Sequence, residues 1–442
     1  MRSEVVKNEA FPGVIGVLWA QYGPYHFART AALQKLAGPG KVRALELANL
    51  SSDYQWQRSA KIDELVTICP GAEVEHLPFW RAFRHTRRVL TESRVGICLL
   101  PGYAPKQSFA ALLAAKSLRI RTVMMNESHA GTARARGIAV WVKRRLVGWF
   151  DAALVGGLPQ KRYVASLGLP PEKIFIGYDA VDNEYFASRA EQIRCRPREF
   201  RSRYHLPDHY FLSLGRFVAK KNLSTLIRAY RQFLDASSPN QIHLVLVGSG
   251  EEEPVLRSLC AELKLPVYYR SRSSTSDSQS MTDNSPPGVH FYGFRQIEEN
   301  PAFYALADAF ILPSLYEEWG LVVNEAMASG LPVVVSETAG CAEDLLRPVS
   351  PGALSRPDFQ AARANNLEQR LRENGFTFAP ASSGELCRIF LSLASSMEMR
   401  KSMGKASRRI VENYSCETFA RNALRAIEAA TNKTVSDPGS AS

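Results

Sequence analysis

The segment from Ala309 to Val335 constrains the fold of this chain more than any other. It predicts a buried strand at Ala309–Leu312, a short polar loop, a helix from about Gly320 to Gly330, and a second buried strand at Val333–Val335. A glycine at the helix end, with a proline just beyond it, is a typical stop signal. A strand, a helix and a strand in this order form a βαβ unit, which places two parallel strands in one sheet.

Two carboxylates lie in this βαβ unit. Glu317 is in the loop, and Glu325 is one turn inside the helix, where side chains lean back toward the helix N-terminus. Between them, the backbone N–H groups of Gly320, Leu321 and Val322 lack helical partners and form an anion site. A sugar nucleotide requires such donors for phosphate and such acceptors for hydroxyls. Two glutamates eight residues apart are usually solvated helix residues, but the surrounding βαβ frame favours a site.

Length and cysteine usage limit the class of protein. At 442 residues the chain is too long for one core, so two domains are expected. Its seven cysteines are odd in number and scattered, which indicates neither a metal cluster nor a disulfide framework and is typical of a reducing cytoplasm. No apolar stretch has the length of a signal peptide core or a spanning helix. The sequence therefore predicts a cytoplasmic protein, soluble or peripheral on the inner face of the membrane.

Positive charge is concentrated in the first half. Residues 1–190 carry 26 Lys and Arg against 15 Asp and Glu, whereas the remainder carries 29 against 28. This asymmetry indicates an anionic surface or substrate. Aromatic and basic residues mix at 79–90, and residues 143–145 lie near Trp141 and Trp149, which suits anionic lipid headgroups. The alternative is ordinary exposed helices. Nucleic acid is not expected, because no binding motif accompanies the charge.

Strand candidates alternate with amphipathic helical stretches in both halves. Those of the first half are Val14–Ala20, Val42–Ala48, Val95–Leu100, Thr122–Met125, Ala152–Val155 and Ile174–Ile176. Those of the second half are Phe211–Leu214, His243–Val247, His290–Tyr292, Ala309–Leu312 and Val333–Val335. This alternation predicts an α/β fold of two Rossmann-like, doubly wound domains, with a ligand crevice between the carboxyl ends of their strands.

Composition also suggests where the chain divides. The predicted divisions are a first domain over 1–190, a second over 191–410, a helix over 411–431 that packs back on the first domain, and a disordered tail over 432–442. The charged stretch 183–203, broken by Pro197, is interpreted as a linker. Residues 269–288 are rich in serine and predict a disordered insertion.

Basic side chains follow the first strand of the second domain. Arg216 and Lys221 would lie at the carboxyl edge of the sheet, where an arginine fork and a lysine point charge can hold a diphosphate. The alternative is that both are solvated loop residues. Gly248 follows another strand, but a lone Gly-x-Gly also occurs in tight turns. Arg295 follows a third strand and would either lie against a nucleotide base or be exposed.

The first domain offers a second set of candidates. Gly23, after the first strand, would allow close approach of the backbone to a substrate. Glu127 and His129 follow the strand at 122–125 and could orient a sugar hydroxyl or stabilise charge at the anomeric carbon. A loop histidine is equally often a surface residue. Asp182 is expected to be a structural cap at the domain junction.

The run from Glu317 to Val334 resembles the E-x7-E signature of glycosyltransferase family 4, the retaining enzymes of the GT-B fold. Matches in the family's order and approximate spacing are Gly215-Arg216 with Lys221, Gly248, Gly293-Phe294, Asn374-Gly375-Phe376 and Tyr414-Ser415. The resemblance covers most of 205–430 and is looser over 1–190. Glu318 and Asn222 stand where the family usually has glycine, and Gly23-Pro24-Tyr25-His26 replaces its first-loop motif.

The resemblance implies a nucleotide-diphosphate sugar bound mainly by the second domain. Arg216 and Lys221 would hold the diphosphate, Glu325 the ribose and Glu317 the sugar hydroxyls, with the backbone from Trp319 to Val322 meeting sugar and phosphate. It also implies no metal and no cofactor, and retention by front-face attack assisted by the leaving phosphate.

The function predicted is retaining transfer of a hexose or deoxyhexose to a cell-envelope, lipid-linked or polysaccharide acceptor. Alternatives are a GT-B sugar-nucleotide epimerase or phosphorylase, or a non-catalytic carbohydrate-binding protein. A pseudoenzyme would be expected to lose some of Arg216, Lys221, Glu317 and Glu325, yet all four are present.

Overall fold

The computed structural model describes residues 13–51, 65–133, 137–237, 241–270, 285–350, 352 and 356–432. The chain forms two compact units, Met1–Ala180 with Cys416–Ser442, and Val181–Ser415. It therefore passes from the first unit to the second once and returns once.

The first unit alternates strands and helices. In chain order its elements are β1 (Val14–Trp19), α1 (Pro24–Ala37), β2 (Val42–Leu50), β3 (Val66–Glu73), α2 (Phe79–Glu92), β4 (Val95–Leu100), α3 (Lys106–Ser117), β5 (Arg121–Asn126), α4 (Ile138–Val147), β6 (Ala152–Val155), α5 (Leu158–Ser166) and β7 (Ile174–Ile176), completed by the carboxyl-terminal α16 (Cys416–Thr431).

The described strands of this unit form one parallel sheet in the order β3-β2-β1-β4-β5-β6-β7. Central strands such as β6 are apolar throughout, as strands covered on both faces require. Helices α2 and α3 contribute to the apolar cluster on one face, and α1 and α16 to the cluster on the other. The order is that of a Rossmann-like sheet, whose ligand edge lies at the carboxyl ends of the strands.

The second unit repeats this plan. Its elements are α6 (Asn183–Arg194), α7 (Pro197–Tyr204), β8 (Tyr210–Leu214), α8 (Leu223–Ala236), β9 (His243–Val247), α9 (Glu253–Glu262), β10 (Val267–Tyr269), β11 (Val289–Phe291), α10 (Asn300–Leu306), β12 (Ala309–Leu312), α11 (Leu321–Ala328), β13 (Val333–Ser336), α12 (Ala342–Leu345), α13 (Gln360–Ala364), β14 (Leu371–Arg372), β15 (Gly375–Phe378), α14 (Ser383–Ser395) and α15 (Met397–Val411).

The described strands of this unit pair in the order β10-β11-β9-β8-β12-β13-β15-β14, and only β14 runs antiparallel to its neighbour among them. The predicted βαβ unit is present as β12, α11 and β13, with β12 and β13 in parallel register. Two Rossmann-like parallel sheets confirm the predicted fold class.

The predicted linker over 183–203 was wrong, because this stretch forms α6 and α7. Pro197 begins α7 rather than breaking a helix, since the first helical turn needs no N–H from that residue. Asp182 caps α6, its carboxylate accepting from the N–H of Tyr185 at 2.9 Å. Helix α6 packs on α10 and α11, so the second unit begins at Val181 rather than at residue 191.

Other differences are local. The helix predicted over 411–431 is α16, which begins only at Cys416, because a short 3₁₀ turn at Glu412–Tyr414 follows α15. Strand β3 escaped prediction because Pro70-Gly71 inside it are typical turn residues. The core of the predicted insertion, 271–284, and the tail from 433 lie outside the described residues. No helix in the described parts of the chain is long and apolar enough to cross a bilayer.

Two buried histidines are paired in the second sheet. Nδ1 of His243 accepts from the N–H of Gly288 at 3.3 Å and lies 2.9 Å from Nε2 of His290, which must therefore carry the shared hydrogen. The Tyr268 ring stacks on His290 with centroids 4.5 Å apart. Burial lowers the pKa of His243 to about 4 and that of His290 well below its ordinary value. Both rings are thus neutral near pH 7.

We expect this pair to make the protein sensitive to acid. A histidine whose pKa is lower in the folded state contributes stability above the unfolded pKa, about 6.5, and that stability is lost as pH falls toward the folded value. For His243 the loss by pH 5 is about 2 kcal/mol. His243→Gln should therefore flatten the dependence of unfolding free energy on pH between 7 and 5, measured by urea denaturation. His76→Gln, at an exposed position, should not, and equal slopes for the two variants would contradict the assignment.

Candidate functional site

The carboxyl end of β8 carries the predicted diphosphate-binding residues. The strand passes through Gly215 into Arg216, whose side chain is exposed, and a short 3₁₀ turn brings Lys221 back beside it. Arg216 and Lys221 line one small recess together with Leu312 and Pro313 of the β12 edge. The two basic residues therefore lie together at the ligand edge of the second sheet.

Glu317 is tied to two lysines at this edge. Its carboxylate is buried and forms a short contact with Nζ of Lys221, a 3.2 Å contact with Nζ of Lys220, and accepts from the Ser314 hydroxyl at 3.3 Å. Lys220 also contacts Glu318 at 2.9 Å. The loop after β12 and the loop after β8 are thus held together by ion pairs.

The two lysines keep Glu317 ionised. Burial by itself would raise the pKa of this carboxyl, but the charges of Lys221 and Lys220 outweigh burial and hold the pKa below its ordinary value. Burial likewise opposes the charge of Lys220, and the neighbouring carboxylates of Glu317 and Glu318 raise its pKa nonetheless. The site therefore presents a fixed carboxylate acceptor beside fixed cations.

Helix α11 begins beside this carboxylate. Gly320 precedes the helix with φ 109°, and a Cβ atom there would lie 2.9 Å from Cδ2 of Leu312. Leu321 and Val322 occupy the first turn of the helix and are partly exposed. Their backbone N–H groups therefore lie at a helix N-terminus that a ligand can approach. The predicted anion site thus has the required backbone, whereas the Trp319 side chain is buried and donates to Asn324 at 2.9 Å.

Glu325 is wholly buried. Its carboxylate accepts from the hydroxyl of Tyr304, on α10, at 2.8 Å. Glu325 therefore forms a hydrogen bond to a neighbouring helix. Its contact with a ribose stays a prediction.

Gly248 has a packing role that the sequence did not reveal. Its φ is 141°, and a Cβ atom there would lie 1.9 Å from the carbonyl oxygen of Gly215. A Cβ atom at Gly250 would lie 2.3 Å from the carbonyl oxygen of Phe217, and the N–H of Phe217 donates to the carbonyl of Ser249 at 2.8 Å. These glycines allow the loops after β8 and β9 to pack backbone to backbone, which fixes the position of Arg216.

Arg295 is buried rather than exposed, so the exposed alternative was wrong. Its guanidinium donates to the carbonyl of Arg270 at 3.0 Å and lies 3.4 Å from the carboxylate of Glu299. These bonds join the loop after β11 to the end of β10. A contact with a base stays a prediction.

In the first unit, Gly23 caps α1. Its N–H donates to Nδ1 of His26 at 3.0 Å, and the His26 ring stacks on Trp19 with centroids 4.2 Å apart. Burial, with the nearby charge of Arg29, lowers the pKa of His26 to about 3, so the ring is neutral. The tight loop after β1 is therefore built around an uncharged imidazole.

The predicted pair Glu127 and His129 lies just beyond β5. His129 is buried, and its Nδ1 accepts from the N–H of Gly131 at 3.2 Å. Glu127 is partly exposed, and burial together with the charge of Glu127 raises the pKa of Asp179 well above its ordinary value. His129 is thus oriented by its own turn.

Sequence reasoning missed four residues of these sites: Lys220, Ser314, Arg29 and Asp179. Lys220 and Ser314 are each within three residues of a predicted site residue, so proximity was an available signal. Arg29 and Asp179 meet only because α1 and the end of β7 come together in the fold, at 3.7 Å between Nη2 and Oδ1. Nothing in the linear pattern indicated that contact.

A match to a known protein family covers the site at the ligand edge of the second unit's sheet. Residues 198–374 match the family described as glycosyl transferases group 1. This region, called the group 1 region below, is therefore similar to that family. The group 1 region includes Arg216, Lys221, Glu317 and Glu325. Membership of family 4 in particular stays a prediction.

Curated relatives of the group 1 region are similar over part of the chain. The uncharacterized glycosyltransferase MJ1607 of Methanocaldococcus jannaschii is 32% identical over 165 residues, 37% of this chain and 36% of that protein. Mannosylfructose-phosphate synthase of Agrobacterium fabrum is 30% identical over 180 residues, 40% of this chain and 34% of that protein. O-antigen chain mannosyltransferase B of Escherichia coli is 29% identical over 185 residues, 40% of this chain and 43% of that protein. The matches thus span about a third to two fifths of these relatives.

Solved structures share the fold over nearly the whole chain. A glycosyltransferase from Rickettsia africae gives a TM-score of 0.66 at 13% identity, covering 96% of this chain and all of that one. HepE of Anabaena, solved in complex with UDP, gives 0.63 at 16% identity, covering 94% and 100%. At such identities the likeness extends to the fold alone.

Proposed function

We propose that this chain is a retaining glycosyltransferase that takes its sugar from a nucleotide-diphosphate donor. The observation that carries the proposal is the cluster at the ligand edge of the second sheet, in which Arg216, Lys221 and the ionised Glu317 lie together. The group 1 family match includes all three residues. HepE, which shares the fold, was solved with UDP, and this supports a uridine nucleotide as the first donor to examine.

The side chains of this cluster suit the departure of a diphosphate. A lysine ammonium has three N–H donors, so Lys221 can keep its contact with Glu317 and still donate to a phosphate oxygen. The exposed Arg216 fork and the N–H groups at the start of α11 supply further donors. Charge that develops on the leaving phosphate is then stabilised by groups already in position. Glu317, kept ionised, accepts from a donor sugar hydroxyl.

The acceptor is proposed to bind the first unit, at the loops after β1 and β5. Gly23 allows close approach there, and Glu127 and His129 offer polar atoms for a sugar hydroxyl. The class we propose is a cell-envelope, lipid-linked or polysaccharide glycan. Attack from the face that the phosphate leaves would retain the anomeric configuration without a protein nucleophile, a cofactor or a metal.

The experiment that tests the proposal is a screen of nucleotide sugars for thermal stabilisation and for release of nucleoside diphosphate. Turnover of one donor, with sugar appearing on an added glycan or in water, is the expected result. Conversion of a sugar nucleotide to its epimer, or phosphate-dependent cleavage of a glycan, would favour the epimerase or phosphorylase alternative. Glycan binding without turnover of any donor would favour a non-catalytic carbohydrate-binding protein.

The first unit also exposes apolar side chains among cations. Four large apolar side chains are exposed: Trp80 of α2 (67%), Ile138 (82%) and Trp141 (60%) of α4, and Trp149 (42%). A chain of ring contacts, from Trp80 through Phe79 and Phe109, joins Trp80 to Trp149. The exposed arginines of α2 and α4 are Arg81, Arg84, Arg87, Arg88, Arg144 and Arg145. Such a surface supports the proposal of contact with anionic lipid.

We expect this surface to bind vesicles that contain anionic lipid. Trp141→Ala with Ile138→Ala should reduce flotation with phosphatidylglycerol vesicles at low salt, because both side chains would insert at the headgroup boundary. A matched pair, Val255→Ala with Tyr269→Ala, removes exposed apolar side chains from the second unit and should leave flotation unchanged. Absence of wild-type binding at low salt, or equal binding by both pairs, would refute the surface.

A further inference from the structure

One asparagine side chain joins three loops at the ligand edge of the second sheet. The amide nitrogen of Asn222, which directly follows Lys221, donates to the carbonyl of Pro313 at 3.0 Å and to that of Pro380 at 2.8 Å. Pro313 directly follows β12, and Pro380 comes two residues after β15. The amide oxygen accepts from the hydroxyl of Thr225 at 2.8 Å. The loop after β8 is therefore bonded to the loops after β12 and β15 through Asn222.

The chemistry of these bonds requires an amide. A carbonyl oxygen only accepts, so two carbonyls that meet one side-chain nitrogen need two N–H groups on that nitrogen. An amide nitrogen has two N–H groups, and the amide oxygen remains for the hydroxyl of Thr225. An ionised aspartate has the same shape but no donor. The side chain of Asn222 thus uses both of its N–H groups on backbone.

The backbone at Asn222 supports the same connection. Its φ is 55° and its ψ 34°, the left-handed conformation in which the 3₁₀ turn 219–221 ends and α8 begins. Asparagine adopts this conformation more readily than most residues. On the other side of Lys221, the N–H of Leu315 donates to the carbonyl of Lys220 at 2.8 Å. Bonds to the loop after β12 therefore lie on both sides of Lys221 in the chain.

The ion pair of Lys221 with Glu317 depends on these two loops. The ammonium of Lys221 contacts the carboxylate of Glu317, which lies in the loop that Pro313 opens. A lysine ammonium is carried on a flexible four-carbon stem, so its place is set by the backbone beneath it and by its partner. A displacement of about 1 Å can cost a well-oriented reaction about a hundredfold in rate. The bonds of Asn222 therefore bear on where this ammonium lies.

We propose that Asn222 is a positioning residue: its amide bonds the loops after β8, β12 and β15 to one another and so holds the ammonium of Lys221 where it stabilises the leaving diphosphate. This inference rests on the proposed function, because that function assigns Lys221 to the diphosphate. It adds a residue that acts on the substrate through Lys221.

A double-mutant cycle with Lys221 tests the positioning role. Asn222→Gly removes the amide and keeps a residue that adopts the left-handed conformation without strain. With a saturating nucleotide sugar it should lower kcat by roughly ten- to one-hundred-fold. In the Lys221→Ala background the same change should lower kcat by less than about threefold, because the residue that Asn222 positions is then absent. A residue that only stabilises the fold would give the same factor in both backgrounds.

A second variant keeps more of the side chain. Asn222→Asp retains an acceptor for Thr225 but has no N–H for the carbonyls of Pro313 and Pro380. It should lose at least as much kcat as Asn222→Gly. Thermal denaturation identifies any variant that is unfolded at the assay temperature, so that the cycle is measured on folded protein.

The matched control is another asparagine of the second unit. Asn366 also has a left-handed backbone, with φ 54°, and is exposed two residues after α13. Within the described residues its side chain forms no hydrogen bond. Asn366→Gly therefore makes the same change at a position that joins no loops, and it should transfer sugar at the wild-type rate.

Hydrogen exchange tests the connection between the loops without any substrate. Loss of a hydrogen bond to a buried carbonyl should make local opening about tenfold more frequent. Asn222→Gly should therefore speed amide exchange in residues 219–221 and 313–320, measured by mass spectrometry. Asn366→Gly should leave exchange in both segments as it is in wild type.

The two readouts separate the possible failures. Equal factors for Asn222→Gly in the wild-type and Lys221→Ala backgrounds, or unchanged exchange in the two segments, would overturn the inference. If wild type transfers no sugar from any donor while exchange rises in Asn222→Gly, the proposed function fails, and with it the role in the reaction, but the connection between the loops stands.

Discussion

Lys221→Ala is expected to lower the rate of sugar transfer by about two to three orders of magnitude, which is typical when one charge-stabilising donor is removed from a preorganised site. Nζ of Lys221 contacts the buried carboxylate of Glu317 and lines the recess that Arg216 also borders. Its removal takes away a cation that would stabilise the leaving phosphate and one of the two lysines that contact Glu317. The measurement is kcat with a saturating nucleotide sugar, together with the affinity for the nucleoside diphosphate.

A matched control comes from another lysine of the same unit. Lys401 is exposed on α15, away from the loops after β8 and β12. Lys401→Ala removes the same charge and should transfer sugar at the wild-type rate. Thermal denaturation of both variants identifies any loss that reflects unfolding. If the Lys221→Ala variant, when folded, transferred sugar within twofold of wild type, the assignment of Lys221 to the diphosphate would be wrong.

Gly248→Ala is expected to destabilise the second unit by about 3–5 kcal/mol, combining the strain of a positive φ with the cost of overpacking. Its φ is 141°, and the new Cβ atom would lie 1.9 Å from the carbonyl oxygen of Gly215. Because the obstacle is backbone, the loops after β8 and β9 must separate, and Arg216 moves with them. For a unit of this size the melting temperature should fall by roughly 10 °C.

Gly384→Ala is the matched control for this substitution. Gly384 lies in α14, and a Cβ atom there would meet no atom within 4 Å. Alanine has the higher helix propensity, so this variant should be as stable as wild type or more stable, by up to about 1 kcal/mol. A melting temperature for Gly248→Ala equal to that of wild type would show that the two loops do not pack as described.

The parallel strands of both sheets were predictable from the sequence, because continuous apolar runs and helical spacing are local patterns. The segment β12–α11–β13 is the clearest example: its strand limits, its glycine stop and the position of Glu317 all follow from residues within one βαβ unit. The elements that escaped prediction are those in which a local signal is overruled by packing. Pro70-Gly71 lie inside β3 although they favour a turn. The charged stretch that forms α6 packs on α10, where Nε of Arg194 donates to the carbonyl of Ala305 at 2.9 Å.

The candidate sites were predictable to different degrees for the same reason. Arg216, Lys221 and Glu317 could be proposed as neighbours because each follows a strand of one parallel sheet, and carboxyl ends of parallel strands share an edge. The pairing of Glu317 with Lys220 and Lys221 depends on how two loops fold, which no spacing encodes. Asp179 and Arg29 are 150 residues apart in the chain and meet through tertiary packing alone.

The central claim is tested most directly by proton NMR. The spectra follow the conversion of each nucleotide sugar, once with wild-type protein and once with the Lys221→Ala variant. We predict that wild type releases the nucleoside diphosphate from one donor, that the transferred sugar keeps the anomeric configuration of that donor, and that Lys221→Ala does so at least about a hundredfold more slowly. Inverted configuration, or equal rates for the two proteins, would contradict retaining transfer at the edge of the second sheet.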